Sequence, residues 1–254
     1  MVSPYQDKVA LWHWEGDAVG EATIDELARM VKTRAPVVDA IFVKTSDGPE
    51  WQGAYDSKES MKIRGPQDIR RWIDTLANYG LEFHSWKVLR GIQIDREIDL
   101  IVQTASIPGV KSIILDIEPY EHYWQGSRQD VIRLMSGVRQ RIGPNFHIGI
   151  SVDPRSHWYN AIYPDAWRPY INSVHPQCYW GTMQRSPESI LTETYVTWGG
   201  YGLPIYPVLQ AHGVSPDSIR RAQDVARSVR GATGLSYWRI GVIGPLEYEA
   251  INDE

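Results

Sequence analysis

Short runs of apolar residues alternate along the chain with longer stretches in which apolar residues recur every three or four positions. Such runs are typical of buried strands, and such stretches are typical of amphipathic helices. Eight strand-like runs follow one another at nearly regular spacing, at residues 9–14, 40–44, 82–88, 112–118, 147–152, 173–179, 205–210 and 234–240. Because strands that alternate with helices form parallel β/α units, the pattern predicts one α/β domain, a (β/α)8 TIM barrel over residues 1–254.

Residues typical of helix starts and helix ends occur at the boundaries of the predicted helices. Thr23 begins a capping-box pattern, and Ser186 and Ser215 each precede a proline suited to the first helical position. Glycines that can take a left-handed backbone conformation follow the helical stretches, at Gly80, Gly109, Gly143, Gly202 and Gly231. The fifth unit is less regular, so we expect residues 155–163 to form a rim loop before a short helix near 165–170.

The fourth strand-like run carries two acidic residues before a proline, in the order Ile113-Ile114-Leu115-Asp116-Ile117-Glu118-Pro119. Because strand side chains alternate between faces, Asp116 and Glu118 share one face, and the other face is apolar. Active sites of TIM barrels lie at the C-terminal strand ends. We therefore expect Glu118 at the open rim with Asp116 one layer beneath it, where burial and a like charge raise the pKa of a proton donor. A polar network inside the barrel is the competing interpretation.

The other strand ends supply aromatic and amide side chains to the same predicted rim. We expect Tyr179 to face the two acids across the barrel mouth. Positions that bind a substrate are predicted at Trp12, Trp14, Asp153, Gln177, Gln210 and Trp238. The tryptophans also suit an ordinary core, because indoles are commonly buried, and Asp153 before Pro154 also suits a turn.

Composition narrows the classes of function. The chain has 254 residues, 43% of them hydrophobic, which is enough for a large core. A net charge of -5 leaves no basic surface for nucleic acid or an anionic membrane, so we expect neither as a partner. The single cysteine, Cys178, excludes an internal disulfide. No secretion signal or membrane span is recognisable, so we expect a protein that stays in the cytoplasm or leaves the cell by lysis.

The chemistry at the predicted rim matches cleavage of a glycosidic bond, which needs an acid for the leaving oxygen, a group opposite it and flat faces for sugar rings. The chain has eleven tryptophans and fourteen tyrosines against three phenylalanines, and such rings suit sugars. His147 and His175 fall at strand starts and no close helical histidine pair exists, so we expect no metal. No glycine-rich phosphate loop follows the first strand, and we expect no cofactor. Lys44 and Lys87 leave open a barrel aldolase or isomerase that forms a Schiff base.

Residues 111–118, which read KSIILDIE, resemble the fourth-strand signature of the chitinase-like enzymes of glycoside hydrolase family 18. That strand ends in Asp-x-Glu, and its final Glu, here Glu118, is the acid. Tyr179 in QCYW and Trp238 in GLSYWRIG stand like that family's strand-six tyrosine and strand-eight floor tryptophan. The resemblance implies that the substrate's own N-acetyl group attacks the anomeric carbon. It also implies that Asp116 steadies the resulting ring and that the Tyr179 hydroxyl holds the acetamido oxygen.

Three positions depart from that family's fuller pattern. Lys111 and Ile114 replace two earlier acids of the strand-four motif, and Trp180 replaces the usual acid after the strand-six tyrosine. The lysozyme-like muramidases of family 25 also carry Asp-x-Glu on a mid-barrel strand, but their first strand normally bears an Asp where this chain reads LWHWEGD.

The resemblance favours a retaining glycoside hydrolase acting on an N-acetylhexosamine polysaccharide, chitin or peptidoglycan, with Glu118 as the general acid/base. A carbohydrate-binding barrel that has kept the cleft and lost catalysis is the main alternative. The aldolase or isomerase is the third.

Overall fold

The computed structural model describes residues 3–254, and the first two residues of the predicted domain, Met1 and Val2, lie outside them. Eight parallel strands close into a barrel, and the eighth strand pairs with the first. They are β1 (Val9–His13), β2 (Ala40–Asp47), β3 (Glu82–Val88), β4 (Ile113–Asp116), β5 (Ile148–Val152), β6 (Ser173–Cys178), β7 (Val208–Gln210) and β8 (Leu235–Trp238). The predicted (β/α)8 TIM barrel is confirmed.

One α-helix follows each barrel strand, and the helices pack around the barrel. They are α1 (Ile24–Arg34), α2 (Pro66–Ala77), α3 (Ile94–Ala105), α4 (Arg128–Ile142), α5 (Pro164–Trp167), α6 (Pro187–Trp198), α7 (Pro216–Asp224) and α8 (Pro245–Asn252). The predicted caps are confirmed, since Thr23, Ser186 and Ser215 each accept a backbone hydrogen bond from the third helical residue. All five predicted stop glycines have a positive φ. No helix within the described residues is long and apolar enough to cross a membrane.

Only β3 has the predicted bounds, and the other strands differ by one to three residues at one or both ends; the differences in β2 and β7 are the largest, and the one at the end of β4 affects the site. β2 continues to Asp47, and its end pairs with a two-residue antiparallel strand, Glu50–Trp51. β7 begins only at Val208, because Pro207 has no N–H to donate to the ladder and leaves one isolated bridge at Ile205. β4 ends at Asp116, so Glu118 stands just beyond the regular strand.

Side chains of each barrel strand alternate between the barrel interior and the layer beneath the helices. On β4, Ile114 belongs to the interior cluster, whereas Ile113, Leu115 and Ile117 pack against the helices. The alternation predicted for the fourth strand is confirmed by these contacts. The same alternation turns Asp116 into the barrel, where 5% of its surface is exposed.

The N-terminal end of the barrel is closed by a buried aromatic and histidine cluster around Tyr5. The Tyr5 ring centroid lies 5.2, 5.0 and 4.6 Å from the rings of His84, His147 and His175. The Tyr5 hydroxyl donates to Ser112 at 2.6 Å. This cluster places His147 and His175 at the end of the barrel opposite the C-terminal strand ends, as their positions at strand starts predict.

Acid should destabilise the fold through this cluster. Burial lowers the pKa of His147 from 6.5 to about 4 and also lowers the pKa values of His84 and His175. The unfolded chain therefore binds protons between pH 6.5 and 4 that the folded chain does not bind, so stability present above pH 6.5 is lost as the pH falls. For His147 alone the loss is on the order of 3 kcal/mol.

Urea unfolding at several pH values between 7 and 4 measures this loss. His147→Gln keeps a polar partner for Ser173, which lies 2.9 Å from His147, and we expect a shallower loss of unfolding free energy. The exposed His157, changed to Gln, is the matched control and should leave the pH dependence as it is. A pH dependence equal in wild type and His147→Gln would contradict this account.

Candidate active site

A cavity of about 760 Å³ opens at the C-terminal ends of the strands. All eight barrel strands or the loops that follow them contribute to its wall. Of the predicted site residues, it is lined by Trp12, Trp14, Asp116, Glu118, Asp153, Gln177, Tyr179 and Trp238. One concave site of this size, with acids and rings in its wall, is suited to a small ligand or a segment of a polymer.

The two acids of the fourth strand are held together by one amide group. The Gln177 side-chain nitrogen lies 2.8 Å from Glu118 Oε1 and 3.0 Å from Asp116 Oδ1, and it donates to both carboxylates. It also lies 3.0 Å from the hydroxyl of Ser151, which pairs with Asp116 across β4 and β5. Because both bonds come from the same Gln177 nitrogen, Glu118 Oε1 and Asp116 Oδ1 are closer to each other than the sum of their two distances to that nitrogen.

Burial changes the acidity of this pair. The pKa of Glu118 is raised to about 7, chiefly by burial, while the hydrogen bond from Gln177 opposes the shift and the nearby charge of Asp153 adds to it. The pKa of Asp116 is also raised well above its usual value, first by burial and then by the charge of Glu118. Two carboxylates this close ionise as a unit, so the pair retains a proton near neutral pH.

Asp153 is bound by neighbours on its own side of the cavity. Arg155 Nη2 lies 2.7 Å from Asp153 Oδ2, and the Tyr120 hydroxyl donates to the same carboxylate. Arg155 also contacts the Tyr120 oxygen at 2.5 Å. The Asp153 carboxylate is thus saturated by protein donors, and its charge acts on Glu118 at a distance.

A second ion network lies on the β2 and β3 side. Lys44 lies 2.9 Å from Asp47, and Arg90 lies 2.7 Å from the other oxygen of the same carboxylate. The Lys44 ammonium is also 5.6 Å from the centre of the Trp86 ring. Lys87, the other lysine considered for a Schiff base, lies on the outward face of β3 and does not line the cavity.

Indole rings form the floor of the cavity. The rings of Trp12, Trp86 and Trp238 contact one another edge to face, with centroids 5.4 to 6.0 Å apart. Trp12 donates its N–H to Ser236 and Trp86 donates to the carbonyl of His13, so both rings are fixed. Trp14 and Trp238 are partly exposed, which leaves ring surface open to a ligand.

Two tyrosines stand beside the acid pair. The Tyr179 ring centroid lies 6.2 Å from that of Trp238. Burial raises the pKa of the Tyr179 hydroxyl, and the charges of Glu118 and Asp116 raise it further. The pKa of the Tyr123 hydroxyl is also raised, first by burial and then by the charges of the same two acids. The raised pKa values keep both hydroxyls protonated. Within residues 3–254 neither hydroxyl makes a side-chain hydrogen bond, so each can donate to a ligand in the cavity.

The Gln210 side chain does not lie where the sequence analysis places it. Its side chain is buried and does not line the cavity. The side-chain oxygen accepts hydrogen bonds from the backbone N–H groups of Gly181 and Thr182 at 2.8 and 3.2 Å, and the side-chain nitrogen donates to the His212 carbonyl at 3.0 Å. Gln210 therefore holds the loop after β6 instead of contacting a ligand.

The three departures from the family 18 pattern fall in different surroundings. Lys111 is exposed and precedes β4, and Trp180 is buried under the helices with its N–H 3.3 Å from Ser218. Neither lines the cavity. Ile114 lies inside the barrel on the same face as Asp116 and supplies an apolar neighbour there. Of the three, only Ile114 changes the environment of the acid pair.

Several residues of the wall were outside the predicted site. Tyr120, Tyr123 and His122 lie in the loop after β4, and Arg155 lies in the rim loop after β5. Arg239 directly follows Trp238, and the peptide bond between them is cis. The sequence signals for these residues are the proximity of Tyr120 and Tyr123 to the Asp-x-Glu motif and the positions of Arg155 and Arg239 at predicted strand ends. Among residues 3–254, no cluster of His, Cys, Asp and Glu is arranged to hold a metal ion.

The sequence matches no protein-family model and no curated protein. Solved structures with the same fold include an endo-1,4-β-D-mannanase from Thermotoga petrophila, with a TM-score of 0.66, 9% identity, and coverage of 93% of this chain and 89% of that one. A family 18 chitinase from Pseudoalteromonas aurantia has a TM-score of 0.61 and 14% identity over 97% and 99% of the two chains. A family 18 N-acetylglucosaminidase from Paenibacillus barengoltzii has a TM-score of 0.61 and 9% identity with the same coverage. At these identities the similarity establishes the fold, which these glycoside hydrolases share.

Proposed function

We propose that the protein is a retaining glycoside hydrolase that cleaves an N-acetylhexosamine polysaccharide, with Glu118 as the general acid/base. The observation that carries this proposal is the acid pair bound to Gln177 inside an aromatic cavity, with the pKa of Glu118 raised to about 7. An acid with that pKa is protonated for part of its population at neutral pH and can donate to a leaving oxygen. The fold shared with several glycoside hydrolases adds to its support.

The positions of the acids favour a reaction in which the substrate supplies its own nucleophile. The carboxylates that line the cavity come from β2, β4 and β5 or the segments after them, namely Asp47, Asp116, Glu118 and Asp153. Among the described residues, no carboxylate from β6, β7 or β8 lines the opposite wall. A nucleophilic carboxylate would have to lie on the other side of the sugar from Glu118. The acetamido oxygen of the substrate can take that role.

The proposed reaction has two steps. Glu118 gives its proton to the glycosidic oxygen while the acetamido oxygen forms a bond to the anomeric carbon and the glycosidic bond breaks. Asp116 in its ionised form stabilises the positive charge on the resulting ring, and the Tyr179 hydroxyl orients the acetamido group. The Glu118 carboxylate then takes a proton from a water molecule as the water oxygen bonds to the anomeric carbon. The bond between that carbon and the acetamido oxygen breaks, which regenerates the acetamido group and restores the original configuration.

Incubation with chitohexaose and with peptide-free peptidoglycan strands tests the proposal. We expect new reducing ends and shorter oligosaccharides, detected by chromatography and mass spectrometry. A carbohydrate-binding barrel is the second candidate, favoured by Ile114 at a position where family 18 carries an acid. That candidate predicts binding of the same oligosaccharides with no product after long incubation.

A further inference from the structure

In the described part of the chain, four cationic side chains line the cavity, and three of them have a carboxylate partner. Lys44 and Arg90 contact Asp47, and Arg155 contacts Asp153. Arg239 is the fourth, and within residues 3–254 it forms no ion pair. Among the described residues, the one hydrogen-bond partner of its side chain is the carbonyl of Ile240, at a long distance of 3.4 Å from Nη1.

The Arg239 guanidinium is held in place by aromatic rings. Its central carbon lies 4.8 Å from the centre of the Trp14 ring and 6.0 Å from that of Trp238. Burial lowers the pKa of this guanidinium, and Glu15, which lies beyond ion-pair distance, opposes that shift. A guanidinium that is stacked, partly desolvated and without a carboxylate presents its planar set of donors to a ligand.

Arg239 lies on a different side of the cavity from the acidic residues that line it. Arg239 follows β8, and Glu118 follows β4, which is four strands away around the barrel in either direction. The acids lie on the β2 to β5 side, so an anionic group there would be repelled. On the β8 side an anion would meet Arg239 and, among residues 3–254, no carboxylate that lines the cavity.

We propose that Arg239, stacked on Trp14, binds a carboxylate carried by the glycan, so that the preferred polymer combines N-acetylhexosamine with an acidic sugar. This inference rests on the proposed function and narrows its substrate class. Two sources carry such a group: the lactyl ether of peptide-free peptidoglycan strands and the uronate of hyaluronan oligosaccharides. The planar guanidinium suits a carboxylate, because two parallel N–H groups can donate to its two oxygens.

The test compares Arg239→Gln with wild type on three substrates: chitohexaose, peptide-free peptidoglycan strands and hyaluronan oligosaccharides. We expect kcat/KM on at least one carboxylated substrate to fall by about tenfold to a hundredfold, the effect of losing a charged hydrogen bond. On chitohexaose the fall should be no more than about threefold. The substrate with the larger fall identifies the source of the carboxylate.

Arg168→Gln is the matched control, because Arg168 is an exposed arginine whose guanidinium lies 6.0 Å from the Tyr201 ring, away from the cavity. It should leave the ratio of rates on carboxylated and neutral substrates as in wild type. Added salt should weaken the wild-type preference for the carboxylated substrate and have less effect on Arg239→Gln. Equal losses on neutral and carboxylated substrates, or no wild-type preference for either carboxylated substrate, would overturn the inference.

If the proposed function itself is wrong, the result is different: wild type releases no product from any of the three substrates. Titration calorimetry with the same oligosaccharides then measures the subsite directly. Tighter wild-type binding of a carboxylated oligosaccharide that is lost in Arg239→Gln supports the subsite. Equal binding by the two proteins overturns it.

Discussion

Glu118→Gln should lower kcat on an N-acetylhexosamine oligosaccharide by about a hundredfold to ten thousandfold, the usual contribution of a positioned general acid. Glutamine has nearly the same shape and can still accept a hydrogen bond from Gln177, but it has no proton to give to a poor leaving group. Glu121→Gln is the matched control, because Glu121 lies three residues further along and its side chain is 88% exposed. That variant should retain the wild-type rate.

Two further measurements separate loss of the acid from loss of the fold. An aryl glycoside with an acidic phenol needs no proton donor, so Glu118→Gln should cleave it much closer to the wild-type rate than it cleaves the oligosaccharide. Wild-type kcat/KM on the oligosaccharide should fall as the pH rises through about 7, because Glu118 then loses its proton. Equal losses on both substrates would indicate that Glu118 has another role.

Asp116→Asn should lower kcat by about a hundredfold to a thousandfold with a much smaller change in KM, as expected for lost electrostatic stabilisation of a charged intermediate. Asp116 is buried beside Glu118, and asparagine preserves its hydrogen-bonding shape without its charge. In contrast to Glu118→Gln, this variant should not recover on the aryl glycoside, because ring closure is impaired for every leaving group.

The control for this substitution is Asp165→Asn on the surface, which should have the wild-type kcat. Circular dichroism and thermal unfolding of all four variants show whether each is folded. A kcat for Asp116→Asn within a few fold of wild type would remove Asp116 from the proposed reaction. It would leave the role of Glu118 to be decided by its own variant.

The fold and the acid pair follow from local sequence rules. The strand period of two places Asp116 and Ile114 inside the barrel and Ile113 and Leu115 outside it, which the structure bears out. Proline and glycine positions predict the helix ends with equal success. These features depend on neighbours within a few residues, so a single sequence contains the information.

The loops and the directions of polar side chains depend on contacts that are distant in sequence. Tyr120 and Arg155 meet at Asp153 only because the loops after β4 and β5 lie side by side. Gln210 was expected to bind substrate, but the loop after β6 offers it two backbone N–H groups, and its side chain turns there. No periodic pattern in the sequence predicts which of these distant groups a polar side chain will contact.

Proton NMR of the first product released from chitohexaose tests the central proposal most directly, because it reports both turnover and stereochemistry before the free sugar equilibrates. The proposal predicts that wild type releases the β anomer from the β-linked substrate and that Glu118→Gln releases almost no product over the same time. Initial release of the α anomer, or equal product from wild type and Glu118→Gln, would contradict it.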